Sequence, residues 1–138
     1  GYFNNLALEA LEQVINRFPD SKYAQDSRQK IILVNSNIAA KHMEIGRFYL
    51  NNKKYIAALN RFKIVVNEFS ITKFTPEALH RMVEAYYALG MFEESYNTAA
   101  LLGYNYSDTK WYRLSYNLVE QIDDEETFLK KIRNFFDG

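Results

Sequence analysis

Hydrophobic positions recur along almost the whole chain at the three- and four-residue spacing of a helix face, and strict strand alternation is absent. The fold class is therefore all-α. Phe3, Leu6, Ala7, Ala10, Leu11, Val14, Ile15 and Phe18 form one broad apolar stripe. Pro19-Asp20-Ser21 stops that helix, and Asp20 or Ser21 caps the next. Ala24, Ser27, Ile31, Val34, Ile38, His42, Ile45 and Tyr49 then hold a single face in phase from about 22 to 51. That phase predicts one long helix, with Asn35-Ser36-Asn37 offering the alternative of a turn that divides it.

A polar turn, Asn51-Asn52-Lys53-Lys54, leads to a helix whose core face is Tyr55, Ala58, Leu59, Phe62, Val65, Val66 and Phe69. The loop that follows ends in Thr75-Pro76-Glu77: an N-cap, a first-turn proline and an acid at the positive end of the helix dipole. The helix so started carries Leu79, Met82, Val83, Tyr86 and Leu89 and stops at Gly90. Another is expected from Phe92 to about Leu102, closed by Gly103. Ser107-Asp108 caps a helix with Trp111, Leu114, Leu118 and Val119. A last helix opens at Asp123-Asp124-Glu125-Glu126, closes with Lys130, Lys131 and Arg133, and carries Phe128, Leu129, Ile132, Phe135 and Phe136.

These helices repeat. A tetratricopeptide unit is two antiparallel helices in about 34 residues, with small and aromatic residues at set places. Ile45-Gly46, Tyr49, Tyr55, Ala58 and Phe62 match that spacing, with Ser70 where a proline usually closes the unit. A second copy, 37 residues on, reads Met82-Val83, Tyr86, Phe92, Ser95 and Ala99. Gly46 and Ala58 are expected to be small because paired helices approach most closely there, and small Ser95 partly offsets the missing glycine at Val83. The chain then divides as one helical-repeat domain: a half repeat at 1–20, a repeat at 21–72 with an extended first helix, a repeat at 73–105, and a helix pair at 106–138. Trp111, Leu114 and Ser115 start the third copy. Each pair leaves an apolar flank that only the next pair covers, so the array stacks into a superhelix.

Composition narrows the function. The 138 residues include 5 Gly and 2 Pro, few enough breakers for long helices. Formal net charge is +0 with cations and acids interleaved, which argues against nucleic acid as a partner. The absence of cysteine excludes thiolate chemistry and Cys-based zinc sites from these residues. His42 and His80, the two histidines, fall on different helices, His42 partly packed and His80 toward the groove, so no metal ligand set is expected. The acid pairs Glu93-Glu94 and Asp123 to Glu126 open helices, where capping and the dipole explain them. No catalytic residues and no cofactor are expected.

With these residues in hand, the chain resembles the BamD lipoprotein family, also called ComL. The resemblance is carried by Arg17-Phe18-Pro19-Asp20-Ser21-Lys22-Tyr23-Ala24, Glu44-Ile45-Gly46-Arg47-Phe48-Tyr49-Leu50, Tyr55-Ile56-Ala57-Ala58-Leu59-Asn60-Arg61-Phe62, Pro76-Glu77-Ala78-Leu79 and Val83-Glu84-Ala85-Tyr86-Tyr87-Ala88-Leu89-Gly90. It implies a periplasmic scaffold of the outer-membrane β-barrel assembly complex, tethered through a lipidated N-terminal cysteine. Its implied partners are the periplasmic domains of the barrel insertase, other assembly lipoproteins and unfolded barrel proteins. The chain is expected to correspond to the C-terminal portion, without the lipidated cysteine or the first repeats; that half of the family is associated with insertase docking. The alternative is a general tetratricopeptide adaptor that receives peptides in its concave groove.

Two candidate surfaces follow. The first helix of each pair lines the concave side, which places Met43, Arg47 and Leu50, then His80, Glu84 and Tyr87, in a groove. Tyr104, Tyr106 and Tyr112 form an aromatic corner, the expected docking surface. Trp111 beside them reads either as an interface anchor or as the repeat's own packing tryptophan. The apolar face from Phe3 to Phe18 is expected to be mobile or covered by a neighbouring molecule.

Overall fold

A computed structural model describes the backbone from residue 2 to residue 137, and the side chains of residues 5–122 and 132–137. Six helices follow one another with no strand among the described residues: α1 Tyr2–Arg17, α2 Lys22–Asn51, α3 Tyr55–Glu68, α4 Thr75–Ala88, α5 Phe92–Tyr106 and α6 Lys110–Asp137. Each packs against the next, and α4 also touches α2 and α6. This is the stacking of helix pairs in a tetratricopeptide superhelix, with α2, α4 and α6 as the first helices of successive units.

Helix α2 runs unbroken for 30 residues, so Asn35-Ser36-Asn37 is helical and makes no turn. Ser21 is its cap: the hydroxyl accepts from the Ala24 N–H at 3.1 Å. The Arg28 guanidinium donates to the Pro19 carbonyl at 2.7 Å and holds the corner from the other side. The first half of α2 carries α1, which among the described residues packs against α2 and no other helix. The α1 stripe is only half covered: Leu8, Leu11, Val14 and Ile15 are partly buried, whereas Leu6, Ala7, Ala10 and Phe18 are exposed. The Phe3 side chain lies outside the described residues.

The main core lies where α2, α3 and α4 meet, around Met43, Phe62 and Met82, with Ala39, Ala58 and Ala78 letting the helices approach. Tyr49, Leu50, Tyr55 and Phe69 border it. A smaller core of Val83, Ala99, Val119 and Ile122 joins α4, α5 and α6, bordered by Tyr87, Phe92 and Leu118.

Four boundaries differ from the sequence-based expectation. Thr75 does not cap α4; its hydroxyl donates to the Ser70 carbonyl at 2.9 Å, and Phe74 precedes the helix without a side-chain cap. Helix α5 passes through Gly103 to Tyr106, because Gly103 is needed as a seat for a ring and not as a stop. The cap of α6 is Thr109, whose hydroxyl accepts from the Tyr112 N–H at 3.3 Å, and not Ser107-Asp108. Finally, the backbone from 110 to 137 is one helix and not a pair. No glycine or proline stands there to break it; the acids that suggested a new N-terminus, with Phe128, Leu129, Lys130 and Lys131, have side chains outside the described residues.

Candidate partner surface and the concave face

The first helices meet through a continuous chain of polar contacts. Arg47 on α2 grips Glu77 on α4 with two bonds, Nε to Oε2 at 2.8 Å and Nη2 to Oε1 at 2.6 Å. Arg81 donates to the same Glu77 carboxylate at 3.2 Å and to Glu84 Oε1 at 2.7 Å. Glu84 Oε1 lies 3.1 Å from His80 Nε2, and His80 Nδ1 lies 2.7 Å from Ser115 Oγ on α6. The His80 ring faces Trp111 at 5.6 Å, and the Arg81 guanidinium and Lys110 ammonium sit over that indole at 5.3 and 4.6 Å.

The electrostatics follow from this geometry. Burial pushes the Glu77 carboxyl up, but hydrogen bonds from Arg47 and Arg81 outweigh it and hold the group below the ordinary carboxylate value. Glu84 is likewise pushed up by burial and brought below its ordinary value by His80 and Arg81. The bond to Glu77 raises Arg47. Elsewhere, burial first and the nearby Arg61 second depress His42, which stacks on Phe69 at 6.1 Å.

The expected groove is thus largely self-occupied. Met43 is fully buried in the main core and His80 is 5 % exposed, so neither presents itself to a ligand. Leu50 borders the core, and Tyr87 packs on Phe92 with ring centroids 5.6 Å apart. Arg47 and Glu84 remain part-exposed, but each already has a partner of opposite charge. Sequence alone marked Glu77 as a first-turn acid and Ser115 as a repeat position and did not single out Arg81, so the joining of the three helices by these residues was not foreseen. Glu77 and Arg81 are four residues apart on a helix that also carries Glu84, a spacing that signals ion pairing along one face.

The packing residues fall inside. Ala58, Phe62 and Val83 are fully buried, and Tyr86 nearly so. Ser95 is fully buried too, its hydroxyl donating to the Val83 carbonyl at 3.0 Å. Tyr49, Tyr55 and Phe92 are partly buried against the two cores.

The aromatic corner is divided in use. Tyr112 lies on Gly103: a Cβ there would stand 2.5 Å from its Cε1. Trp111 packs between α4 and α6 as described, and Tyr106 is half-buried. Tyr104, by contrast, is 88 % exposed. The other exposed apolar side chains of α5 and α6 include Tyr96 and Leu101 on α5 and Leu114 and Tyr116 on α6. Between these helices runs an open groove of about 290 Å³, lined by Tyr96, Ala99, Ala100, Tyr112, Tyr116 and Val119. The hydrogen bond to Glu120 at its edge pushes the Tyr116 hydroxyl up.

Among the described residues no group of three His, Asp or Glu side chains is placed to hold a metal ion, and no helix is long and apolar enough to cross a membrane.

Residues 4–101 match a family described as outer membrane lipoprotein, YfiO. Among curated proteins, the chain is 47% identical over 115 residues to the outer membrane protein assembly factor BamD of Rickettsia prowazekii, covering 83% of this chain and 46% of the relative. It is 47% identical over 113 residues to BamD of Caulobacter vibrioides, covering 82% and 37%. To BamD of Neisseria meningitidis serogroup A it is 29% identical over 103 residues, covering 75% and 39%. The chain spans less than half the length of these relatives. With the matched segment reaching from α1 into α5, it belongs to the YfiO family of outer membrane lipoproteins.

Proposed function

We propose that this chain is part of a non-enzymatic scaffold for outer-membrane β-barrel assembly, held at the periplasmic face of the outer membrane. It docks the periplasmic domains of the barrel insertase through the α5–α6 corner. The relatives named as assembly factors support the general role. The observation that carries the docking surface is the exposure of rings on the α5–α6 pair: Tyr96 and Tyr116 line one groove, and Tyr104 stands exposed further along α5. Tyrosines bury a large apolar ring on association while the hydroxyl keeps a polar partner, which suits a surface wet in one state and dry in another.

The concave face is a weaker binding surface in this reading. Its charges neutralise one another, and a peptide would have to break ion pairs before making its own.

The test is a pull-down of the insertase's periplasmic domains by the parent chain and by a Tyr104→Ala/Tyr116→Ala variant. Both positions are exposed enough that the far-ultraviolet CD signal should not change. Loss of capture with intact helicity supports the docking surface; full capture by the variant rejects it. Tyr112 is a poor probe, since removing its ring uncovers Gly103 and disturbs the α5–α6 contact.

A further inference from the structure

The two seams between first helices are built unequally. Across the α4–α6 seam run a buried hydrogen bond, His80 to Ser115, and the stacking of Trp111 against both His80 and Arg81. The smaller core, with Val83 on α4, Ala99 on α5 and Val119 and Ile122 on α6, backs them directly. These contacts lock α4, α5 and α6 into one block. Across the α2–α4 seam the direct contact is slight, and each of the two helices packs more extensively on α3. Besides the shared apolar core, the polar contact that spans that seam among the described residues is the Arg47–Glu77 pair.

The nature of the two forces matters here. The core shared by α2, α3 and α4 holds them together, but apolar attraction has no preferred direction and tolerates small sliding. A guanidinium gripping a carboxylate through two parallel bonds is directional, and a small rotation breaks one of them. Glu77 is held in turn by Arg81, which is braced by Glu84 and by the Trp111 ring. The anion that α2 grips is therefore fixed in the frame of the α4–α6 block.

We infer that the Arg47–Glu77 pair is an angle-setting clamp of the superhelix. It fixes how the α1–α2–α3 arm sits against the α4–α5–α6 block, and its release lets the arm shear on the α2–α3–α4 core without unfolding either part. Adhesion belongs to the apolar core and orientation to the clamp. Surfaces on the long α2 helix and on the α5–α6 corner keep a set mutual angle only while it is closed.

The test uses paired spin labels, which the absence of native cysteine makes clean. Lys41→Cys on α2 and Asn117→Cys on α6, both exposed, report the angle across the clamp. Asn105→Cys and Gln121→Cys, exposed on α5 and α6, report the block alone. Distances are read by pulsed electron resonance in the parent and in Glu77→Gln. The expected result is a broader or second distance population for the 41–117 pair, with the 105–121 pair unchanged. Arg47→Met, at a part-exposed position, opens the clamp from the other side, leaves Glu77 bonded to Arg81, and should act alike. It keeps the test decisive if Glu77→Gln folds poorly. An unchanged 41–117 distribution in the folded variants overturns the inference, as does equal broadening of both label pairs.

Discussion

The Phe62 ring occupies the space a side chain at Gly46 would need: a Cβ built there lies 2.6 Å from Phe62 Cε1. One turn of α2 is thereby pressed against the ring from α3 that fills the centre of the main core, and Phe62 is fully buried. In the next pair the same two positions hold Val83 and Ala99, both in the smaller core. Glycine against phenylalanine has become valine against alanine. The volume has moved from the second helix to the first, so Val83 is a compensated position rather than a loose one.

Gly46→Ala should therefore destabilise the protein even though alanine favours a helix. Helix propensity returns about 1 kcal/mol. Overpacking against a ring with no room to turn costs about 1–3 kcal/mol. A lower melting temperature and a lower urea midpoint are expected, and an unchanged or raised midpoint would show that Phe62 steps aside.

Lys53→Gly should do the opposite. Lys53 has φ 60 and Gly90 has φ 73, and the two stand 37 residues apart at the ends of α2 and α4. Each closes its helix the same way: Lys54 N–H to Tyr49 carbonyl at 2.9 Å, Met91 N–H to Tyr86 carbonyl at 2.9 Å. The left-handed conformation costs a residue with a Cβ about 1–2 kcal/mol, of which glycine's greater freedom in the unfolded chain takes back about 0.5–1 kcal/mol. A net gain of about 0.5–1 kcal/mol is expected in chemical denaturation. Gly90→Ala should lose a similar amount, although nothing lies within 4 Å of its added methyl group.

Ser115→Ala tests the α4–α6 seam. Ser115 is fully buried and is the partner of His80 Nδ1. Removing the hydroxyl leaves a buried ring nitrogen without its bond, at a cost of about 1–3 kcal/mol. Equilibrium denaturation measures it; stability equal to the parent would mean that His80 finds another partner.

Acid should weaken the fold without an intervening maximum. Glu77 and Glu84 titrate below their ordinary value of 4.5 in the folded protein, so their contribution is complete above 4.5 and lost as pH falls through the folded values. His42 is depressed from 6.5, so the unfolded chain takes up its proton first, and stability begins to fall as pH drops below 6.5. Urea midpoints from pH 7 to pH 3 should decline throughout. Glu77→Gln should start lower and decline less below 4.5. A rise in stability between pH 6.5 and 5 would contradict the His42 assignment.

Much of the architecture is legible in residue order. The phase of apolar positions marks α1 to α5, and carries α2 straight through Asn35-Ser36-Asn37, because helical periodicity is a local property written into consecutive residues. The same holds for the recurrence of small and aromatic positions 37 residues on, which announces the stacking of pairs. Boundary signals failed where one residue type serves two purposes. Gly103 reads as a stop and is a seat for Tyr112; Thr75 reads as a cap and bonds backward into its loop.

The residues of this chain by themselves determined the helices from α1 to α5, their pairing and the family resemblance, but not that α6 runs on as one helix. Only the tertiary structure decided which side of each first helix is surface. Met43 and Arg47 are one turn apart on α2, yet one is core and the other a clamp. The reason is that a face becomes inside or outside only when a third helix arrives against it. Here that helix is α4, whose Glu77 lies 30 residues from Arg47, beyond the reach of any local pattern.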